Sequence, residues 1–237
     1  MSNLNKETVL IVGGSSSVGA DIATLFHSKQ MRVITTHMSE PHLDEMSNVN
    51  SFHLDLRNDN SIRDFSGRIK DVLPKIDVVI FLAGILPGQE LGSYDFATID
   101  KVMSVNFNGQ AKLIMNILPM LTSRSRLLLF SSISAQRGSF DPIYAASKGA
   151  LLSLVKSLAK SLPRGCRINS IAPGLIQSSA MFEEMSKERQ EFHRESIPSK
   201  KLLDPQDLAK IVFDLCQDHW AHLNGACIDL NGGQNVR

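Results

Sequence analysis

The segment Val9-Leu10-Ile11-Val12-Gly13-Gly14-Ser15-Ser16-Ser17-Val18-Gly19-Ala20 runs four apolar residues into a glycine-rich turn, and Ile22, Ala23, Leu25 and Phe26 follow at helical spacing. The order is strand, tight turn, helix. A glycine at such a turn lets the main chain bend sharply and approach an anion, while the unpaired N–H groups and the dipole of a helix start favour phosphate. In this setting the pattern predicts that the loop, with Gly13, Ser15, Ser16, Ser17, Val18 and Gly19, cradles the pyrophosphate of a dinucleotide.

Outward from that turn, β-branched or leucine-rich runs recur at residues 8–12, 32–36, 78–82, 126–130, 167–171 and 226–230, with a weaker candidate at 51–54. Longer stretches of helical spacing separate them, so the alternation reads as βαβ. These runs are apolar on consecutive residues, which suits strands covered on both faces. The expected fold is α/β, a Rossmann-like doubly wound parallel sheet of about seven strands with helices on both faces. The chain has 237 residues, 43% of them hydrophobic, enough for a sizeable core in one domain spanning 1–237. No repeat or low-complexity tract divides it. The longest irregular stretch, 175–204, holds the amphipathic Met181-Phe182-Glu183-Glu184-Met185 and a charged run over 186–195. It reads as a short helical substrate lid or as a solvated surface helix.

With 25 basic against 24 acidic side chains, the net charge of +1 provides no field for steering onto nucleic acid. Three widely spaced cysteines do not suit a disulfide-stapled secreted domain, and the apolar run at 9–12 is too short for a signal peptide or a membrane span. A soluble cytoplasmic protein with reduced thiols is expected. Cys216, His219 and His222 have a spacing that invites a metal, but Asp218 and Trp220 among them suggest an ordinary helix end. No metal site is expected. Met181 and Met185 are candidates to line a substrate pocket.

The second strand candidate ends Thr35-Thr36-His37-Met38, without the acid that would accept hydrogen bonds from an adenosine 2′-hydroxyl and repel a 2′-phosphate. Thr36, His37 and Ser39 offer hydrogen bonds to a phosphate, so NADP is favoured over NAD.

Of the two tyrosines, Tyr144 lies four residues before Lys148 in a helix-prone segment, which puts both on one helical face. The run 126–130 delivers Ser131 and Ser132 to the carboxyl edge of the sheet, where open α/β sheets place ligands. A phenol is a poor acid or base near neutral pH. An ammonium about 5 Å away at an effective dielectric near 20 contributes roughly 3 kcal/mol toward its ionisation, or about two pKa units. Tyr144 can then give a proton to a carbonyl oxygen as hydride reaches carbon, with Ser132 holding the same oxygen.

These motifs together resemble the short-chain dehydrogenase/reductase family in its single-domain form, over nearly the whole chain. Gly13-Gly14-Ser-Ser-Ser17-Val18-Gly19 resembles its cofactor loop, Asp55-Leu56 its adenine-side contact, and Ala83-Gly84 the end of its Asn-Asn-Ala-Gly motif. Val105-Asn106-Phe-Asn-Gly109 resembles the segment bearing its fourth catalytic residue; Ser132, Tyr144 and Lys148 match the other three. Ile171-Ala-Pro173-Gly174 matches the turn beside the nicotinamide, and Asn231-Gly232-Gly233 the C-terminal Asp-Gly-Gly. The resemblance implies that Lys148 also holds the nicotinamide ribose and that Asn106 kinks its helix to bind a water leading to Lys148. It also implies that Ile176 and Ser178 contact the carboxamide. A homodimer or homotetramer, built through the helix of Tyr144 and that of Asn106, follows from the same resemblance.

The departures are Ser17 at a usual glycine position, Phe81-Leu82 for the paired asparagines, Asn231 for an acid, and a Ser132-to-Tyr144 interval one residue short. The last leaves Ser131 and Ser134 as alternative hydroxyls. Ser17 and Phe81-Leu82 also motivate a second reading, a nucleotide-binding or regulatory protein that kept the fold and lost turnover. The expected substrate is a small-molecule carbonyl or alcohol, with specificity in 86–96, 134–143 and 175–204. Composition suits a fatty acyl chain, a steroid, a sugar or a small ketone equally.

Overall fold

A computed structural model describes residues 6–38 and 49–236. Seven parallel strands form one sheet in the order β3-β2-β1-β4-β5-β6-β7. They are β1 (Thr8–Val12), β2 (Arg32–His37), β3 (Asn50–His53), β4 (Ile76–Phe81), β5 (Leu121–Phe130), β6 (Arg167–Pro173) and β7 (Cys227–Leu230). The helices are α1 (Ser17–Ser28), α2 (Asp59–Val72), α3 (Phe96–Met103), α4 (Gly109–Ile117), α5 (Ser134–Arg137), α6 (Pro142–Ser161), α7 (Ala180–Glu183), α8 (Lys187–Glu195) and α9 (Pro205–Leu215). Short 3-10 turns at Leu91–Ser93, Leu118–Met120 and Asp218–Trp220 and a π-helical turn at Ser104–Asn108 complete the described elements.

The two-residue period of a strand explains why consecutive apolar residues were needed. Leu10 and Val12 of β1, Val79 and Phe81 of β4 and Leu127 and Leu129 of β5 point into one core, closed by Ile62, Phe65 and Ile69 of α2, Leu113 and Ile117 of α4, and Leu151 and Val155 of α6. Val9, Ile11, Val78, Ile80 and Leu128 point into the other, closed by Ile22 and Phe26 of α1 and Leu208 and Val212 of α9. Phe81 is fully buried, so exchanging an asparagine for it trades a polar tie for core volume.

Every expected strand is present. β5 begins five residues before the apolar run because of a break in register: Ile76 pairs Leu121, then Val78 pairs Arg126. The buried Ser125 hydroxyl donates to the Ile76 carbonyl at 2.6 Å and accepts from Thr122 N at 2.8 Å, so a side chain replaces the ladder at this irregularity. The stretch 175–204 contains α7 and α8, with Ile176 bridging Leu203.

Candidate active site

The ends of β1, β4, β5 and β6 open on one cleft, beside the point where successive strands leave β1 in opposite directions. Gly13 bends the chain out of β1 at φ +85°, and a Cβ on it would lie 2.7 Å from Ala83 N. A Cβ on Gly19 would meet Gly14 Cα at 2.6 Å. The cradle is therefore closed to side chains at the two places where turn and helix approach each other most tightly. Ser16 caps α1: its hydroxyl accepts from Gly19 N at 3.1 Å and donates to the Gly13 carbonyl at 3.2 Å.

Ser17 is the first residue of α1 and is not among the non-glycine residues at positive φ, so its Cβ brings no left-handed strain. Its hydroxyl donates to the Ser178 carbonyl at 2.9 Å, joining the nucleotide loop to the chain beyond β6. Ser178 takes the strained conformation instead, at φ +56°.

A cavity of about 110 Å³ beside the cradle has Gly13, Ser15, His37, Asp55, Leu56 and Ala83 in its wall. It brings six of the expected cofactor residues together in one wall. His37 Nδ1 is 2.6 Å from Ser51 Oγ. Asp55 grips Arg57 at 2.8 Å, a contact that holds its carboxyl below the usual range. Thr36 is in the same wall; its buried hydroxyl accepts from Gly13 N at 3.0 Å, which ties β2 to the turn and leaves the hydroxyl proton to donate. Ser39 lies outside the described residues.

Across the cleft Pro173 ends β6, and Gly174 N donates to the Leu230 carbonyl at 3.0 Å. Val18 is buried in the first turn of α1, and Ile176 is held by its bridge to Leu203.

Ser132, Tyr144, Lys148 and Asn106 are all buried. The α6 helix starts at Asp141-Pro142, an N-cap followed by the residue best suited to the first helical position. It places Tyr144 and Lys148 one turn apart. Ser132 lies within hydrogen-bonding reach of the Tyr144 phenol and accepts from Ser134 N at 3.1 Å. Ser131 donates instead to the Lys148 carbonyl at 2.9 Å, which commits it to structure.

Lys148 Nζ donates to the Phe130 carbonyl at 2.7 Å, and burial pulls its pKa down to about 8. A Cβ on Gly84 would come within 3.0 Å of that nitrogen, so a glycine there leaves room for the ammonium. The expectation that Lys148 depresses the Tyr144 pKa is corrected. Burial pushes the phenol above its ordinary value, the Ser132 hydrogen bond opposes this, and the Asp141 carboxylate adds to the rise. The ammonium is engaged by a carbonyl in the protein alone.

Asn106 sits in the π-helical turn, the expected kink. Both its amide hydrogens are used, on the Ile85 carbonyl and Ser147 Oγ at 2.9 Å each, and its oxygen accepts from Ile85 N at 2.8 Å. With Gln110 donating to the Ala83 carbonyl at 2.9 Å, side chains from this turn and α4 pin the loop after β4, where Phe81-Leu82 supply no polar tie. The sequence reading missed Gln110, Ser147, Tyr94 and Asp141. For Asp141 the Asp-Pro helix-start signal was present; for the others nothing local marks the contact. Among the described residues no group of three or more His, Cys, Asp or Glu could hold a metal, and His219 pairs with Asp214.

A glycine turn at a helix start, with a serine, a tyrosine and a lysine gathered at the sheet edge, is an arrangement that suits a nicotinamide-dependent oxidoreductase. The family described as enoyl-(acyl carrier protein) reductase matches residues 12–235. The chain is 30% identical over 241 residues to the 3-oxoacyl-[acyl-carrier-protein] reductase FabG of Rickettsia felis, covering 98% of each chain. It is 27% identical to the uncharacterized oxidoreductase YxbG of Bacillus subtilis, covering 98% of this chain and 92% of the relative. A solved short-chain dehydrogenase/reductase from Brucella melitensis superposes with a TM-score of 0.91 at 25% identity, over 98% and 97% of the two chains. The chain belongs to the short-chain dehydrogenase/reductase family.

Proposed function

We propose that the protein is an NADP-preferring carbonyl reductase, reversible as an alcohol dehydrogenase, with Tyr144 as its general acid and base. The observation that carries this reading is the convergence of the Tyr144 and Ser132 hydroxyls, with Lys148 one helical turn behind. Two hydroxyls within reach of each other can both donate to one oxygen on which charge develops, as in reduction of a carbonyl. The bound nicotinamide supplies the hydride. Ser132 orients the carbonyl, Tyr144 donates its proton to the oxygen, and Lys148, one helical turn on and held by the Phe130 carbonyl, is the nearest cation on the same helix to offset the phenolate left behind. In the alcohol direction Tyr144 removes the proton.

The residues of the cradle and cavity are the cofactor contacts in this reading, with Gly84, Pro173, Gly174, Ile176 and Ser178 on the nicotinamide side. NADP is preferred because β2 ends at His37, followed by Met38, with no acid to repel a 2′-phosphate. The segment 175–204 serves as the substrate lid of a single domain. Buried, unpaired Cys166 and Cys216 suit a reducing cytoplasm; among the described residues no helix is long and apolar enough to cross a membrane. The exposed Phe96 of α3 and Met115 of α4 are apolar groups that a homodimer or homotetramer would cover. A monomer in light scattering at micromolar concentration would remove that assembly.

The test is a panel of carbonyls with NADPH and with NADH, followed by loss of reduced-cofactor absorbance. Because FabG relatives are named for 3-oxoacyl substrates, a 3-oxoacyl thioester is one arm beside a steroid ketone, a keto sugar and a small ketone. Oxidation of the cofactor by at least one carbonyl, faster with NADPH, is expected. Tight cofactor binding without turnover across the panel would favour the binding-protein reading instead.

A further inference from the structure

We propose that Asp141 is a positioning residue of this site, whose carboxylate binds the 85–94 segment to the first turn of the Tyr144 helix and acts through that contact on Tyr144. This rests on the reading of Tyr144 as the proton donor. Asp141 is fully buried. Its Oδ1 accepts from Tyr144 N at 2.9 Å and from the Tyr94 hydroxyl at 2.7 Å, while Oδ2 accepts from Gly88 N at 2.9 Å and Gln89 N at 3.3 Å. Among the described residues no lysine or arginine pairs with it.

A helix cap alone does not account for this. One bond, to Tyr144 N, caps α6, and serine or asparagine provides that bond without taking a charge out of water. The other three bonds all reach the 85–94 segment. Only a carboxylate has two acceptor oxygens for the two separate pairs of donors. The segment passes Phe140, whose ring lies 4.0 Å from the Cβ position of Gly88, so Asp141 joins the substrate-side loops to the helix that aims the phenol.

The second consequence is electrostatic. The charged groups around the phenol are Lys148 on its own helix and Asp141 at the helix start; Tyr94 from the 85–94 segment and Ser132 are neutral partners. From α5 and α8 come Arg137, Arg189 and His193, of which Arg189 stacks on Phe140 at 4.7 Å and both arginines act on His193. The Asp141 charge disfavours the phenolate, as it does that of Tyr94, whose pKa is pushed up by burial and then by its bond to Asp141. Asp141 thereby makes the Tyr144 phenolate costlier to form and, once formed, a stronger base for the alcohol proton.

The chain contains only two tyrosines, which makes a direct test possible without any substrate. In Tyr94→Phe the tyrosinate absorbance on raising pH reports Tyr144 alone, against the constant background of one tryptophan. Adding Asp141→Asn is expected to move that titration down by about one pH unit. Asp141→Ser, which keeps the cap without the charge, is expected to do the same should the asparagine variant misfold. In turnover, Asp141→Asn moves the rising limb of kcat/KM for alcohol oxidation to lower pH, and Tyr94→Phe raises substrate KM more than it lowers kcat. An unmoved Tyr144 titration in a folded uncharged variant, or kcat and KM left unchanged by Tyr94→Phe, overturns the proposal. Because the titration needs no turnover, its result stands whether or not the reductase reading survives.

Discussion

Tyr144→Phe lowers the rate of carbonyl reduction by about 100- to 10,000-fold, the range for loss of a positioned general acid, while the dissociation constant for NADPH, read by fluorescence, stays close to the native value. The substitution removes one hydroxyl from a buried side chain and leaves the ring packed, so the cradle at the start of α1 is untouched. What disappears is the proton delivered to the carbonyl oxygen and one of two donors holding it; Ser132 remains. Turnover that survives at the native rate would mean that the proton comes from elsewhere.

Lys148→Met is expected to change activity and stability in opposite directions. The side chains are similar in volume, so packing is largely conserved. Loss of a charge-assisted contact weakens nicotinamide cofactor binding by about 10- to 100-fold and slows turnover as well. Stability follows from linkage. Burial lowers the pKa of Lys148 from 10.5 to about 8, so below that value the folded chain carries a buried ammonium that the unfolded chain keeps in water. The penalty is fully present below about 8, and it fades as pH rises toward 10.5. A shift of this size corresponds to about 3 kcal/mol near neutral pH, against which the orphaned Phe130 carbonyl costs about 1–3 kcal/mol in the variant. The variant should melt at or above the native temperature at pH 7 and lose that advantage near pH 10. A clear fall in melting temperature at pH 7 would show that the ammonium stabilises the fold.

The strands and the nucleotide loop were legible because their signals are local. Consecutive apolar residues over 9–12 or 127–130 suffice to demand cover on both faces, and Gly13 sits where any side chain would block the turn. The limits of that logic show at β5, where Leu121 to Ser125 look like a polar loop yet belong to the strand, because the Ser125 hydroxyl substitutes for a main-chain partner. The Tyr144–Lys148 pair was readable from helical spacing alone; the charge environment of the phenol was not. Spacing pointed to an ammonium that would favour the phenolate, whereas burial and a carboxylate arriving from the helix start prevail. The partners of Asn106 and Asp141 come from segments 21 and 53 positions away, a distance over which residue pattern carries no information.

The all-parallel arrangement has a consequence for biosynthesis. No two neighbouring strands are joined by a hairpin, and the strand that carries the nucleotide loop lies between β2 and β4, the latter beginning only at Ile76. Gly13 meets its opposite wall at Ala83. A nascent chain that has not yet emerged past Ala83 therefore has the loop but only half a cleft, and its central strand still presents a bare edge to the ribosome's surroundings.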